Sequence, residues 1–216
     1  MGGYPWRLVT VDIDGTLTLV HGWHEIAVAF DRLPAYERSN RRFFAHEIGE
    51  DQHLADLLAL ATGHTVAEVE GVVARTPKLD HIAEGVRELH RLGARVALLT
   101  HNPPYVTGFY RRTFGFDDEE GVEGQPIVDG VLGTPSRARA DKRGGLRSLL
   151  GRAQLSPATV VHIGDGWSDA EVFREVGAGV ALNSRFPEVD HAADRVLRTR
   201  DFGDVVAALA SLRPRH

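Results

Sequence analysis

Val9-Thr10-Val11-Asp12-Ile13-Asp14-Gly15-Thr16-Leu17-Thr18 is the stretch from which the rest of the chain can be read. A β-branched apolar run ends in two acidic residues and a Gly-Thr turn, the pattern of a buried strand delivering carboxylates to its C-terminal edge. Open α/β sheets keep their sites at that edge. Asp12 and Asp14 lie two apart, so on a regular strand they share a face. Two such carboxylates repel unless a proton or cation sits between them, and a hard divalent ion such as Mg²⁺ suits oxygen ligands. A plain Asp-Gly turn would explain Asp14-Gly15 but not Asp12 inside the apolar run.

The composition narrows the class. A chain of 216 residues fits one domain, or one domain with a sizeable insertion, and 43% hydrophobic residues is ordinary for a globular protein. A formal net charge of −5 with no basic block argues against nucleic acid or an anionic membrane surface as partner. Cysteine is absent, which excludes disulfides and thiolate metal sites. No signal-peptide core or bilayer-spanning run is present, so the cytoplasm is the expected location. Met1-Gly2 does not continue into a myristoylation signal, because Trp6 stands where Ser or Thr is needed. Of the 25 basic residues only Lys78 and Lys142 are lysine, which singles them out for inspection.

Outward from the first stretch, residues 6–12 are expected to form a strand, and the pattern after Thr18 turns helical, with Trp23, Ile26, Ala27 and Phe30 on one stripe. Thr65-Val-Ala-Glu68 is a capping box opening a further helix. Residues 19–77 thus read as several helices, too much for one crossover, and predict an inserted helical subdomain within a core of residues 1–18 and 78–216. Beyond Pro77 the pattern alternates. Helices are expected at 80–92, 105–113, 141–153, 169–176 and 202–212, and strands at 95–100, 159–163, 178–182 and 195–197. A hairpin is expected at 127–132. This β-α alternation predicts a doubly wound parallel sheet.

Three strand ends carry polar residues: Asp12 and Asp14, then Thr100-His101-Asn102, then Gly164-Asp165-Gly166-Trp167-Ser168-Asp169. Together these motifs resemble those of the haloacid dehalogenase superfamily, phosphoserine-phosphatase-like in type, with Lys142 ahead of a helix as the remaining motif. The insert after the first motif resembles that family's helical cap. The resemblance implies a Rossmann-like α/β core and a Mg²⁺-dependent phosphomonoesterase acting on a small phosphorylated metabolite. It implies Asp12 as nucleophile, Asp14 as general acid and base, and Asp12, Asp14 (through its backbone carbonyl) and Asp165 as Mg²⁺ ligands. Asp169 would be a further ligand or would orient a metal-bound water. Thr100, His101 and Lys142 would meet the phosphate or its leaving group. Dehalogenases of the superfamily lack the second aspartate, so Asp14 favours phosphoryl chemistry.

The pattern departs from phosphoserine phosphatases in two places. His101-Asn102 stands where they carry Gly-Gly, and the insert helix Leu54-Ala55-Asp56-Leu57-Leu58 lacks the arginine expected to hold a substrate carboxylate, which puts phosphoserine itself in doubt. His21, His24 and Glu25 read as a polar rim rather than a metal cluster, Arg38, Arg41 and Arg42 as a solvated face, Arg111 and Arg112 as surface, and Trp167 as packing. A silent Mg²⁺- and phosphate-binding regulator is an alternative, as is a phosphotransferase or phosphonate hydrolase using the same nucleophile; the last needs a cap lysine, and the only one in the cap region, Lys78, lies near the hinge. A monomer and a homodimer are both compatible with the sequence.

Overall fold

The structure, a computed structural model, describes residues 4–135 and 138–215; the Met1-Gly2 reading lies outside them. Six strands form one parallel sheet in the order β3-β2-β1-β6-β7-β8. These are β1 (Leu8–Val11), β2 (Arg95–Leu99), β3 (Asp118–Glu120), β6 (Val160–Gly164), β7 (Ala178–Leu182) and β8 (Arg195–Leu197). β4 (Ile127–Val128) and β5 (Val131–Leu132) make the expected hairpin. The central strands are buried on both faces, as covered parallel strands must be, with Val9, Val11, Val96, Leu98, Val161 and Val180 all sealed from solvent.

Strand order puts β1 between β2 and β6, and the register pairs Val11 with both Leu98 and Ile163. The residues just past these strand ends are Asp12, Thr100 and Asp165, so one register brings the three polar motifs to one edge. Packing around the sheet are α5 (Ile82–Arg91), α6 (Pro104–Phe114), α7 (Lys142–Ala153), α8 (Trp167–Phe173), α9 (Pro187–Ala192) and α10 (Phe202–Ser211). The helix read as 169–176 is shifted to Trp167–Phe173, which places Asp169 inside its first turn.

Between β1 and α5 the chain forms four helices, α1 (Gly22–Ala29), α2 (Leu33–Phe44), α3 (Glu50–Ala59) and α4 (Val66–Arg75). The Thr65 capping box is formed: Glu68 N–H donates to Thr65 Oγ1 at 3.1 Å, and Thr65 N–H donates to Glu68 Oε2 at 2.7 Å. The connections into and out of this insert run side by side, with Leu19 N–H on Pro77 O and Leu79 N–H on Leu17 O, both at 2.9 Å. A third tie comes from the hairpin, where Gly63 and Val66 N–H donate to Leu132 and Gly130 carbonyls at 2.8 and 3.0 Å. Among the described residues no helix is long and apolar enough to cross a membrane.

Candidate active site

Asp12 leaves β1 with its backbone fixed by an N–H···O bond to Ile163 at 2.9 Å, and its side chain is almost wholly buried. Lys142, the first residue of α7, reaches Asp12 Oδ1 at 3.1 Å and Asp169 Oδ1 at 2.6 Å. The lysine too is buried. Burial works against its charge, yet Asp12 and Asp169 together hold its pKa above the ordinary value, so the ammonium is locked on.

Asp169 is held at both oxygens. Oδ1 accepts from Lys142 and from His162 Nε2 at 2.8 Å, and Oδ2 accepts from the N–H groups of Asp165 and Gly166 at 3.1 and 2.9 Å. Burial pushes its carboxyl upward, but Lys142 and His162 outweigh that and keep it ionised. Since a carboxylate only accepts, His162 must donate from Nε2; burial keeps the imidazole neutral, so Nδ1 accepts from Thr10 Oγ1 at 2.9 Å. Gly164 makes this possible, because a Cβ there would stand 2.1 Å from Asp169 Cγ.

Among the described residues the acidic group with metal-holding spacing is Asp12, Asp165 and Asp169, whose oxygens lie within 4.8 Å of one another. Burial, and then the charges of Asp12 and Asp169, drive the Asp165 carboxyl well above its usual range. Asp12 is likewise raised by burial, with Lys142 opposing and Asp169 and Asp14 assisting. Three carboxylates against one ammonium leave a buried negative excess, and the donors are all hard oxygens. The set fits Mg²⁺. Gly15 completes the cradle: at φ +79° its ideal Cβ would fall 2.3 Å from Asp165 Oδ2, so the turn can pass the carboxylate only without a side chain.

Asp14 faces the other way. Its Oδ1 accepts from Gly22 N–H at 2.6 Å, at the start of α1, and its Oδ2 from Asn102 Nδ2 at 2.9 Å. Asn102 also donates to Thr100 Oγ1 at 3.1 Å and is itself buried. Asn102 entered the sequence reading as part of a polar strand end and as a departure from a motif; its role needed the fold, because Asp14, to which it donates, lies 88 residues away. His101 turns Nδ1 toward Glu50 at 3.4 Å, and its buried Nε2 has no hydrogen-bond partner.

Asp12, Asp14, Thr100, His101, Asn102, Lys142, Asp165 and Asp169 border a cavity of about 700 Å³ between the sheet edge and the insert. A family model of haloacid dehalogenase-like hydrolases matches residues 6–177. The chain belongs to this family. It is 26% identical over 183 residues to a phosphoserine phosphatase of Archaeoglobus fulgidus, a match covering 83% of this chain and 53% of that protein. The chain thus spans about half the length of that relative. A phosphoglycolate phosphatase of Methanopyrus kandleri is 29% identical, covering 95% of this chain and 96% of its own. A substrate-bound phosphoserine phosphatase structure superposes with a TM-score of 0.80 at 19% identity, over 94% of this chain and 98% of that one, a likeness of fold.

Of the residues singled out from sequence, this haloacid dehalogenase-like hydrolase gathers Asp12, Asp14, Thr100, His101, Lys142, Asp165 and Asp169 at one cavity. Arg38, Arg41 and Arg42 are solvent-exposed on α2. His24 pairs with Glu25 at 2.9 Å and meets Tyr36 edge-on, and His21 lies tilted against the same ring at 6.0 Å. Lys78 spends its ammonium on the carbonyls of Val73 and Thr76 at the end of α4, at 2.5 and 2.7 Å. Trp167 does pack, as expected, but at the cavity mouth rather than in a core, and 41% of it stays exposed.

Proposed function

We propose that the chain is a Mg²⁺-dependent phosphomonoester hydrolase acting on a small phosphorylated compound through an aspartyl-phosphate on Asp12. The observation that carries this reading is the buried Asp12–Lys142–Asp169 chain beside Asp165, open to a cavity. Residues 19–77 act as the cap over a core of 1–18 and 78–216. Asp12, Asp165 and the Asp14 backbone carbonyl would hold the ion, with Asp169 adjoining. Bound there, Mg²⁺ supplies positive charge that offsets repulsion between the nucleophile and an anionic phosphate.

A carboxylate oxygen of Asp12 attacks phosphorus and the ester oxygen departs, taking its proton from the Asp14 carboxyl. Water then attacks the acyl phosphate, Asp14 takes the water's proton, and inorganic phosphate leaves with Asp12 restored. Thr100 Oγ1 and Lys142 Nζ are the donors for phosphate oxygens. His101 contributes less directly: its Nδ1 faces Glu50, and only its partnerless Nε2 remains to meet a ligand. The relatives support phosphate-ester chemistry: both named here are phosphatases, acting on phosphoserine and on phosphoglycolate.

The test is release of inorganic phosphate from a panel of esters with Mg²⁺, with EDTA, and with Asp12→Asn. Multiple turnovers with Mg²⁺, abolished by chelation and reduced at least a thousandfold in the variant, are the expected result. A variant within a few-fold of wild type would remove Asp12 from the nucleophile's role. Binding without turnover on any ester would favour a silent regulator of the same fold.

A further inference from the structure

The cavity is of the size that holds a drug-sized molecule, much larger than a phosphate on a three-carbon acid requires. Its lining is divided by origin. The core provides the cations, Lys142, Arg185, Arg198 and Arg200, whereas the cap contributes neither lysine nor arginine, and its charged residue at the wall is the acid Glu50. A substrate carboxylate under the cap would find no fixed positive charge there.

What the cap presents instead is rings. Phe43 stacks on His53, centroids 4.5 Å apart and planes 7° from parallel. His53 donates from Nδ1 to Ser39 Oγ at 3.0 Å, because the Ser39 hydroxyl is spent on Asp56 Oδ2 at 2.8 Å. Burial lowers its pKa to about 4, so the ring is neutral and held in plane. From the core, Trp167 packs on Phe186 at 4.6 Å and meets Phe43 at 6.3 Å and Phe44 at 6.0 Å. Phe44 and Trp167 remain 53% and 41% exposed. Large apolar rings left in water around a cavity mark a surface that meets a ligand.

We propose that this site takes phosphomonoesters whose alcohol carries an aromatic or heteroaromatic ring, with the ring lying against Phe43, Phe44, Trp167 and Phe186 while the phosphate reaches Asp12. The inference rests on the phosphatase reading and adds the substrate class. Trp167 directly follows the Gly164-Asp165-Gly166 turn, so the loop that carries Asp165 also carries one wall of the ring site. Rings lining a pocket contribute both area and a preference for offset or edge-to-face geometry, which an alkyl group cannot match.

The experiment compares 2-phenylethyl phosphate with n-propyl phosphate and phosphoserine. The first two share a primary alkyl leaving group, so a difference between them reports ring binding rather than chemistry. The expected kcat/KM ratio of phenylethyl to propyl ester is tenfold or more, carried mainly by KM, and phosphoserine falls with the propyl ester or below it. Trp167→Leu and, independently, the exposed Phe44→Leu bring that ratio down severalfold. A wild-type ratio near one, or variants that lower both esters equally because the rings merely clasp cap to core, overturns the proposal and leaves the phosphatase intact. Calorimetric binding to Asp12→Asn separates the two readings where no ester turns over. Tighter binding of the phenylethyl ester then upholds the ring site while the hydrolase reading fails, and equal binding of the two esters overturns the ring site as well.

Discussion

Asn102 Nδ2 donates to Asp14 Oδ2 at 2.9 Å and to Thr100 Oγ1 at 3.1 Å, tying the end of β2 to the acid that follows β1. Asp14 is thereby aimed by a residue from a different strand. Replacing Asn102 with Ala leaves Asp14 attached only through Gly22. In the proposed mechanism Asp14 acts on the leaving oxygen in the transition state, so the loss is expected in kcat, about tenfold, with KM changed less than threefold. Steady-state kinetics on any accepted ester checks it, and an effect confined to KM would contradict the positioning role.

Among the described residues Lys142 is the one ammonium facing Asp12 and Asp169, and all three are buried. Lys142→Met keeps the stem and removes the charge, leaving both carboxylates without their ammonium, Asp169 keeping its bonds from His162 and two backbone N–H groups. Removing one partner of a buried ion pair costs about 3–5 kcal/mol. Urea unfolding in EDTA is expected to show a loss of that order, and Mg²⁺ should recover part of it by supplying the missing positive charge.

Ion binding to the acidic group should stabilise the native chain. At about a hundred times Kd, linkage gives about 2.7 kcal/mol. Thermal unfolding is expected to shift upward with Mg²⁺ in the wild type and not in Asp165→Asn. Gly15→Ala should lose the shift too, since its Cβ would overlap Asp165 and its φ is +79°. An undiminished shift in Asp165→Asn would place the ion elsewhere.

His101 predicts a pH effect with a definite sign. Burial, with Lys142 assisting, holds its pKa at about 3, against an ordinary 6.5. The unfolded chain therefore takes up a proton that the folded one refuses, so this residue's contribution is steady above about pH 6.5 and is lost as pH falls toward 3. Glu50 opposite is raised by burial and works in the reverse direction. Comparison with His101→Asn cancels that background. Between pH 7 and pH 4 the variant should lose less stability than wild type in urea titrations; an equal loss would show that the ring is solvated.

Much of this site was readable because its residues sit next to local signals. Asp12 and Asp14 follow an apolar strand, Asp165 lies between two glycines, and each signal marks a strand end without knowledge of the partner strand. Elements that break the usual composition were not readable. β3 is Asp118-Glu119-Glu120, three acids that pair as an edge strand because Arg152 covers Asp118 and Glu120. α9 is six residues long and starts at Pro187, too short to show a period. Asn102, His162 and the aromatic mouth were missed for another reason: an amide, a histidine within a strand and a tryptophan at a helix start carry no meaning until something far along the chain lies beside them.

By itself the sequence determined the strand-ending acids, the helical insert and the alternation that makes a parallel sheet, since strand and helix periods and turn chemistry are local properties. Only the tertiary structure decided that Lys142 pairs with Asp12 and Asp169, that Asn102 aims Asp14, and that the helices of residues 19–77 turn rings rather than lysine or arginine to the cavity. Those facts depend on strand order and on how α2 and α3 lie over the sheet edge, and packing of distant segments, not local propensity, sets both.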